Sequence, residues 1–279
     1  MRKARAYQIV AAALRVRKQY SATPLNMPIC PYVLSDSMGF DLRFMNIAPS
    51  LEGMYIANDN LILISSNRPE GRKRFTCAHE IGHHALGHGT VIDEIIESGS
   101  SKTAEREADL FAGFLLMPKG AVQNALSRYE AKNKHLSVQD AYTLSKYFGV
   151  SYKAFISHLC FTLKMIDQDH FKNLSESNLA QIRESLAQIS TNKQVIKIGE
   201  WWQDKAIDVE VGDIIVSEKK LGIEGPQILE SCKKKNYLLT ASAPGIAKVK
   251  QKGGWSSFVK ISRYKYAGLF QFKYEEETE

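Results

Sequence analysis

His79-Glu80-Ile81-Gly82-His83 constrains this chain more than any other feature. Residues four apart on an α-helix share a face, so His79 and His83 can turn two imidazole nitrogens toward one divalent metal, normally zinc. Glu80 lies about 100° further round the helix axis. From there its carboxylate reaches a water on the metal rather than the metal itself, the place required of a general base in metal-assisted hydrolysis. Arg74-Phe75-Thr76-Cys77-Ala78 leads into the pattern, and Thr76 reads as the N-cap of its helix. Gly87 and Gly89 follow, and should end the helix about one turn past His83.

A catalytic zinc takes three protein ligands and keeps one position open. The long pattern with a third histidine is not met, because Leu86 and Gly89 stand where it needs glycine and histidine. His88 is one residue out of register. The other source is a carboxylate on a second helix, and residues 103–118 offer one, with Ala104, Ala108, Phe111 and Leu115 as an apolar stripe at helical spacing. Glu107 falls on the edge of that stripe, where a carboxylate is costly to bury unless paired or bound to metal. Glu107 is the expected third ligand, with Glu105 in reserve. Asp109 is better placed to orient a ligand histidine from behind. Taken alone, Glu105 and Asp109 also fit an ordinary solvated helix face.

Two blocks carry a resemblance. Arg74-Phe75-Thr76-x-Ala78-His79-Glu80-x-Gly82-His83-x-x-Leu86-Gly87-His88, then Glu105-x-Glu107-Ala108-Asp109-x-Phe111-Ala112-x-x-Leu115-Leu116-Met117-Pro118, resemble the ImmA/IrrE family of metallopeptidases in order and separation. The resemblance covers residues 1 to about 165. It implies a zincin-like, cytoplasmic endopeptidase of the Glu-zincin type with Zn²⁺ as cofactor. It further implies a protein substrate, a partner repressor of the helix-turn-helix class, whose cleavage switches genes on in stress-response, mobile-element or defence systems. Cys77 stands where an aliphatic residue is usual and Asp109 where asparagine is common, and neither is an expected ligand.

On this reading His79, His83 and Glu107 hold the metal. Glu80 takes a proton from the attacking water and returns it to the leaving amine. A donor for the developing oxyanion is expected but not assigned among His84, His88 and Tyr129.

The remaining segments predict the setting. Ile9, Ala12, Ala13 and Val16 mark a basic amphipathic helix over residues 3–19. No charged segment followed by a long apolar one opens the chain, so a secretory signal is not expected. Pro24, Pro28 and Pro31 predict a loop. Met54-Tyr55-Ile56-Ala57 and Leu61-Ile62-Leu63-Ile64 flank Asn58-Asp59-Asn60 as a hairpin. Leu61, Ile62, Leu63, Ile64 and Ser65 are the expected edge strand on which an extended substrate lies. Residues 136–163 read as helix, glycine turn, helix, with Gly149 closing the first and Ser151 capping the second. That outline is helix-turn-helix-like, yet Lys153, Ser157 and His158 are a thin set for reading base edges.

The expected fold class is α+β: a zincin-like domain over residues 1–166, a helical connector over 167–194, and a smaller β-rich domain over 195–279. Residues 217–265 carry eleven Lys or Arg against three Glu, interleaved with Trp255, Phe258, Tyr264 and Tyr266. Such a surface could stack and neutralise nucleic acid, or simply be a lysine-studded soluble sheet. A zinc-containing module that holds a repressor or nucleic acid without cutting is the alternative function. No apolar run approaches the roughly 20 residues of a membrane span. Cys30, Cys77, Cys160 and Cys232 lack metal-knuckle spacing and suit reduced thiols in cytoplasm. The net charge of +7 permits nucleic-acid contact without demanding it.

Overall fold

The structure is a computed structural model in which residues 3–89, 101–129, 136–202, 205–232, 237–252 and 254–275 are described. Helix α1 (Lys3–Tyr20) lays Ile9, Ala12 and Ala13 into the core, and Arg17 goes in with them, fully buried. Carbonyls hold that guanidinium: Nη1 donates to Leu115 O (2.6 Å) and Nη2 to Met27 O (2.5 Å). The predicted proline loop is shorter than expected. Pro31 opens α2 (Pro31–Ser37) at its first turn, where a missing N–H costs no helical bond.

Three strands follow: β1 (Asp41–Met45), β2 (Gly53–Ile56) and β3 (Leu61–Ser65). With the two-residue strand Gly268–Leu269 they form a sheet ordered Gly268–Leu269, β1, β3, β2. β3 runs parallel to β1 (Leu42 opposite Ile62) and antiparallel to β2 (Tyr55 opposite Ile62). This corrects the expected substrate edge. Leu61, Ile62, Leu63, Ile64 and Ser65 are paired on both sides, with Ile62 and Ile64 wholly buried, so their backbone groups are not open to a third strand. On this side of the sheet the edge is β2.

Helix α3 (Glu70–Leu86) carries the histidine pair. It starts nearly two turns before Thr76, which sits buried in mid-helix and is no N-cap. Pro69 supplies the extended entry, and Lys73 and Arg74 fold back onto Glu70 in the buried first turns, so the helix extends upstream. Gly87 ends it in the left-handed region (φ 71°), as its lack of a Cβ allows. Then come α4 (Ser101–Leu116), α5 (Lys119–Arg128) and α6 (Val138–Phe148). Gly149 (φ 68°) closes α6, and Ser151 caps α7 (Tyr152–Ser157) by accepting from Ala154 N–H at 3.1 Å. One wide π-helical turn, His158–Thr162, continues α7.

The chain divides into two compact units that are discontinuous in sequence. The first comprises Met1–Ser127, Ser145–Met165 and Ala267–Phe270, the second Arg128–Leu144, Ile166–Tyr266 and Gln271–Glu279. A division at residue 166 therefore differs in two places. Residues 128–144 go with the second unit, where Tyr142 Oη accepts from Val195 N–H at 3.4 Å. Residues 267–270 go with the first, where Phe270 packs on Tyr32 at 5.8 Å between ring centres. Here the β-structure is the two-residue strand Gly268–Leu269, followed by a 3₁₀ turn, Phe270–Phe272.

Among its described residues the second unit holds α8 (Gln168–Ser175) and α9 (Leu179–Ala187), then eight strands in two sheets. The strands are β4 (Val195–Ile198), β5 (Ile207–Glu210), β6 (Ile214–Ser217), β7 (Leu221–Glu224), β8 (Leu229–Cys232), β9 (Tyr237–Ala241), β10 (Gly245–Gln251) and β11 (Ser256–Ser262). One sheet is ordered β4-β6-β9-β8 and the other β5-β11-β10-β7. Alternation along β10 buries Gly245, Ala247, Val249 and Gln251 and leaves Ile246, Lys248 and Lys250 less covered. The molecule is α+β.

Candidate metal centre

The centre is built where α3 meets α4, and Gly82 decides how closely they meet. A Cβ there would come within 3.1 Å of the Phe111 ring and 3.3 Å of Ala108 Cα. With that close approach, three side chains converge. His79 Nε2 and His83 Nε2 lie 2.9 Å apart, as the four-residue spacing requires. Glu105 reaches both, with Oε2 3.1 Å from His79 Nε2 and Oε1 3.4 Å from His83 Nε2.

These separations test whether zinc fits. Two ligands each about 2.0–2.1 Å from a tetrahedral zinc stand about 3.3 Å apart. The three donors all lie within 4.8 Å of one another, and the contacts of 2.9, 3.1 and 3.4 Å bracket that spacing. The donor set of two imidazoles and a carboxylate is a zinc set. Asp109 Oδ1 stands 2.9 Å from His79 Nδ1, behind the ligand. Burial works against a charged His79, but the Asp109 and Glu105 hydrogen bonds overcome it and lift the imidazole to about 10 when only protons compete for the site. The same bonds to His79 and His83 hold the Glu105 carboxyl far below its ordinary range.

Glu107, the carboxylate expected in third place, is not in this cluster. It is 7% exposed, as its position on α4 implies, but its partners are others. Arg5 Nε donates to Oε1 at 2.8 Å, Arg5 Nη2 donates to Oε2, and His88 Nε2 lies 3.2 Å from Oε2. Burial of Glu107 is answered by an arginine 102 residues away in sequence. Glu105, facing the open cleft, is the carboxylate that meets the two imidazoles.

Glu80 lies in the wall of a cleft of about 790 Å³ that His79, His83 and Glu105 also line. It is 5% exposed. The backbone N–H of Tyr55, on β2, donates to the carboxylate, while Oε2 is buried without a partner. Burial raises the Glu80 carboxyl above its ordinary value, against the pull of His79 and His83. The β2 edge enters the same cleft through Gly53 and Met54, and Met117, His158 and Phe161 line it too.

The three oxyanion candidates are placed elsewhere. His84 Nδ1 bonds Tyr55 Oη at 2.7 Å and its ring packs on Phe40. His88 stands behind His83, and Tyr129 belongs to the second unit, where it packs on Trp201. His158 lines the cleft, but its Nε2–H donates to Met117 O at 2.9 Å, and burial pushes it down to about 4. Two features escaped sequence reasoning: Arg5, visible only in the folded chain, and the β2 edge. For the edge a signal existed. Leu61-Ile62-Leu63-Ile64 is a continuous apolar run, the pattern of an interior strand.

The basic region of the second unit is only partly a surface platform. Trp255 and Tyr266 are core residues, whereas Phe258 and Tyr264 are exposed. Lys248 and Lys250 both pair with Glu224, and Lys233, Lys234 and Lys235 lie outside the described residues. Among the described residues, no helix is long and apolar enough to cross a membrane.

Comparison with known proteins bears on the same stretch. The profile of the IrrE N-terminal-like domain, peptidase family M78, matches residues 36–159. The radiation response metalloprotease IrrE of Deinococcus radiodurans is 31% identical over 104 residues, which are 36% of this chain and 31% of that protein. The chain therefore spans about a third of the length of that curated relative. A solved Mycobacterium tuberculosis transcriptional regulator superposes with a TM-score of 0.40 at 16% identity, over 55% of this chain and 46% of that one. Residues 36–159, which hold His79, Glu80, His83 and Glu105, are thus similar to the IrrE N-terminal-like domain of the M78 metallopeptidases.

Proposed function

We propose that this chain is a zinc-dependent endopeptidase that cuts a protein partner in the α3–α4 cleft. One observation carries the reading: a buried carboxylate oxygen with no partner, Glu80 Oε2, in the cleft wall that His79, His83 and Glu105 also line. A purely structural site needs no base beside it. When bound, zinc supplies Lewis acidity, lowering the pKa of water toward about 7 and polarising a carbonyl. The protein does the rest. His79, His83 and Glu105 hold the ion, and Asp109 orients His79 through Nδ1. Tyr55 N–H fixes one oxygen of Glu80, so the other is aimed to accept a proton from water and pass it to the departing amine.

The substrate chain is proposed to lie along β2, pairing backbone to backbone at the sheet edge that Gly53 and Met54 carry into the cleft. Such pairing makes little demand on sequence, so partner choice must come from outside the cleft. A helix-turn-helix repressor is the class that the family resemblance suggests. The test is capture by Glu80→Gln from the native host, with wild type alongside. A repressor bound intact to the variant and shortened beside wild type supports the reading. Nucleic acid, or an uncut protein held equally by both, would move the function to a non-cleaving binding module.

A further inference from the structure

His79 and His83 turn the same nitrogen, Nε2, toward the metal cluster, so a ring that gives this nitrogen's lone pair to a metal must keep its proton on Nδ1. For His79 the reason is on the surface: Asp109 is an acceptor 2.9 Å from Nδ1. Among the described residues His83 has no carboxylate at its Nδ1. It has the Nδ1 of another histidine, His88, at 3.2 Å. Two such nitrogens can bond only if one carries the proton and the other a lone pair. Which is which follows from the far side of His88, where Nε2 lies 3.2 Å from Glu107 Oε2.

We propose that Arg5, Glu107 and His88 form a relay that sets the tautomer and orientation of His83, leaving the His83 Nε2 lone pair free for a metal. The inference rests on the zinc reading for its purpose, though not for its geometry. Glu107 can only accept, so His88 Nε2 donates to it. His88 Nδ1 is then the acceptor and takes the Nδ1–H of His83. Arg5 holds the carboxylate by both oxygens, Nε to Oε1 and Nη2 to Oε2, which fixes the plane from which Oε2 meets His88. Both zinc-facing histidines are thereby backed by a carboxylate, one directly and one through an intervening imidazole. Arg5, Glu107 and His88 are positioning residues. The arrangement also accounts for a carboxylate buried beside the site but outside it.

The test reads the tautomer itself. Long-range ¹H–¹⁵N spectra of the metal-free full chain, labelled at histidine and assigned through His83→Gln and His88→Gln, should show His83 protonated at Nδ1 and His88 as the Nε2–H form. His83 found as the Nε2–H form would overturn the proposal, whether or not the protein binds zinc. Competition with a chelator gives the second readout. His88→Phe should weaken zinc binding by roughly 10–100-fold, and Glu107→Ala should do likewise. Glu107→Gln, whose amide oxygen still accepts from His88, should recover most of that loss. Unchanged zinc affinity in a folded His88→Phe variant would also overturn it. A wild-type chain that binds no zinc would refute the metalloenzyme reading separately, with the tautomer spectra still deciding the relay.

Discussion

Glu80 has one oxygen bound to a backbone N–H and one with no partner, and that asymmetry determines what substitutions there should do. Glutamine keeps the size and an acceptor but cannot take a proton. Glu80→Gln should therefore retain zinc while hydrolysis of the partner falls by roughly 10²–10⁴-fold, the usual contribution of a general base. Zinc content and cleavage rate measured on one preparation check this, and equal loss of zinc would reject the role. Glu105→Gln should behave in the opposite way. As a direct ligand its loss should exceed the roughly 10–100-fold cost of disturbing an outer partner, so a chelator titration should rank Glu105→Gln well below Glu107→Gln. At this scale the histidine pair was legible because spacing on one helix determines it. The third carboxylate was not. Glu107 is the buried one, as its place on the apolar stripe implies, but Arg5 satisfies it from a distant part of the chain. Glu105, whose side chain is 45% exposed, faces the open cleft where the two imidazoles wait.

Elements bring these residues together through glycines, and the β2 edge shows how little room they leave. A Cβ on Gly53 would stand 2.4 Å from Thr76 Cγ2, 2.9 Å from Leu63 O and 3.3 Å from Glu80 Oε1. The first two contacts are too close for any side chain, and the third pushes on the base. Gly53→Ala should cost about 1–3 kcal/mol, the usual penalty of overpacking, and should lower cleavage by more than that loss explains. Urea denaturation beside kcat measured well below the melting temperature separates the two effects. An alanine variant with wild-type stability and kcat would mean that β2 does not pack against Glu80 as described. The hairpin and both helix ends around Gly87 and Gly149 were legible from local patterns, because turns and caps need particular residues. Strand order was not. Nothing local tells that β1 arrives in parallel beside β3 and makes an expected edge interior.

At the scale of the whole molecule, acid stability should depend on one histidine. His158 begins the π-helical turn after α7 and is 7% exposed, with its ring against Gly113 and its Nε2–H on Met117 O at the end of α4. Burial pushes it down to about 4, from an ordinary value near 6.5. The folded chain therefore binds fewer protons than the unfolded chain between those values. Stability is fully present above about pH 6.5, falls as pH drops through the window, and stops falling near pH 4. At pH 5 the cost is about 2 kcal/mol, against little at pH 7. His158→Gln can still donate to Met117 O but cannot titrate. Between pH 7 and pH 5 the variant should therefore lose about 2 kcal/mol less than wild type. Other groups titrate in the same range, yet they are common to both proteins and cancel in the difference. Urea midpoints at the two pH values give that difference directly. Equal losses would place His158 in water, and the part of the cleft that it lines would then be open rather than packed.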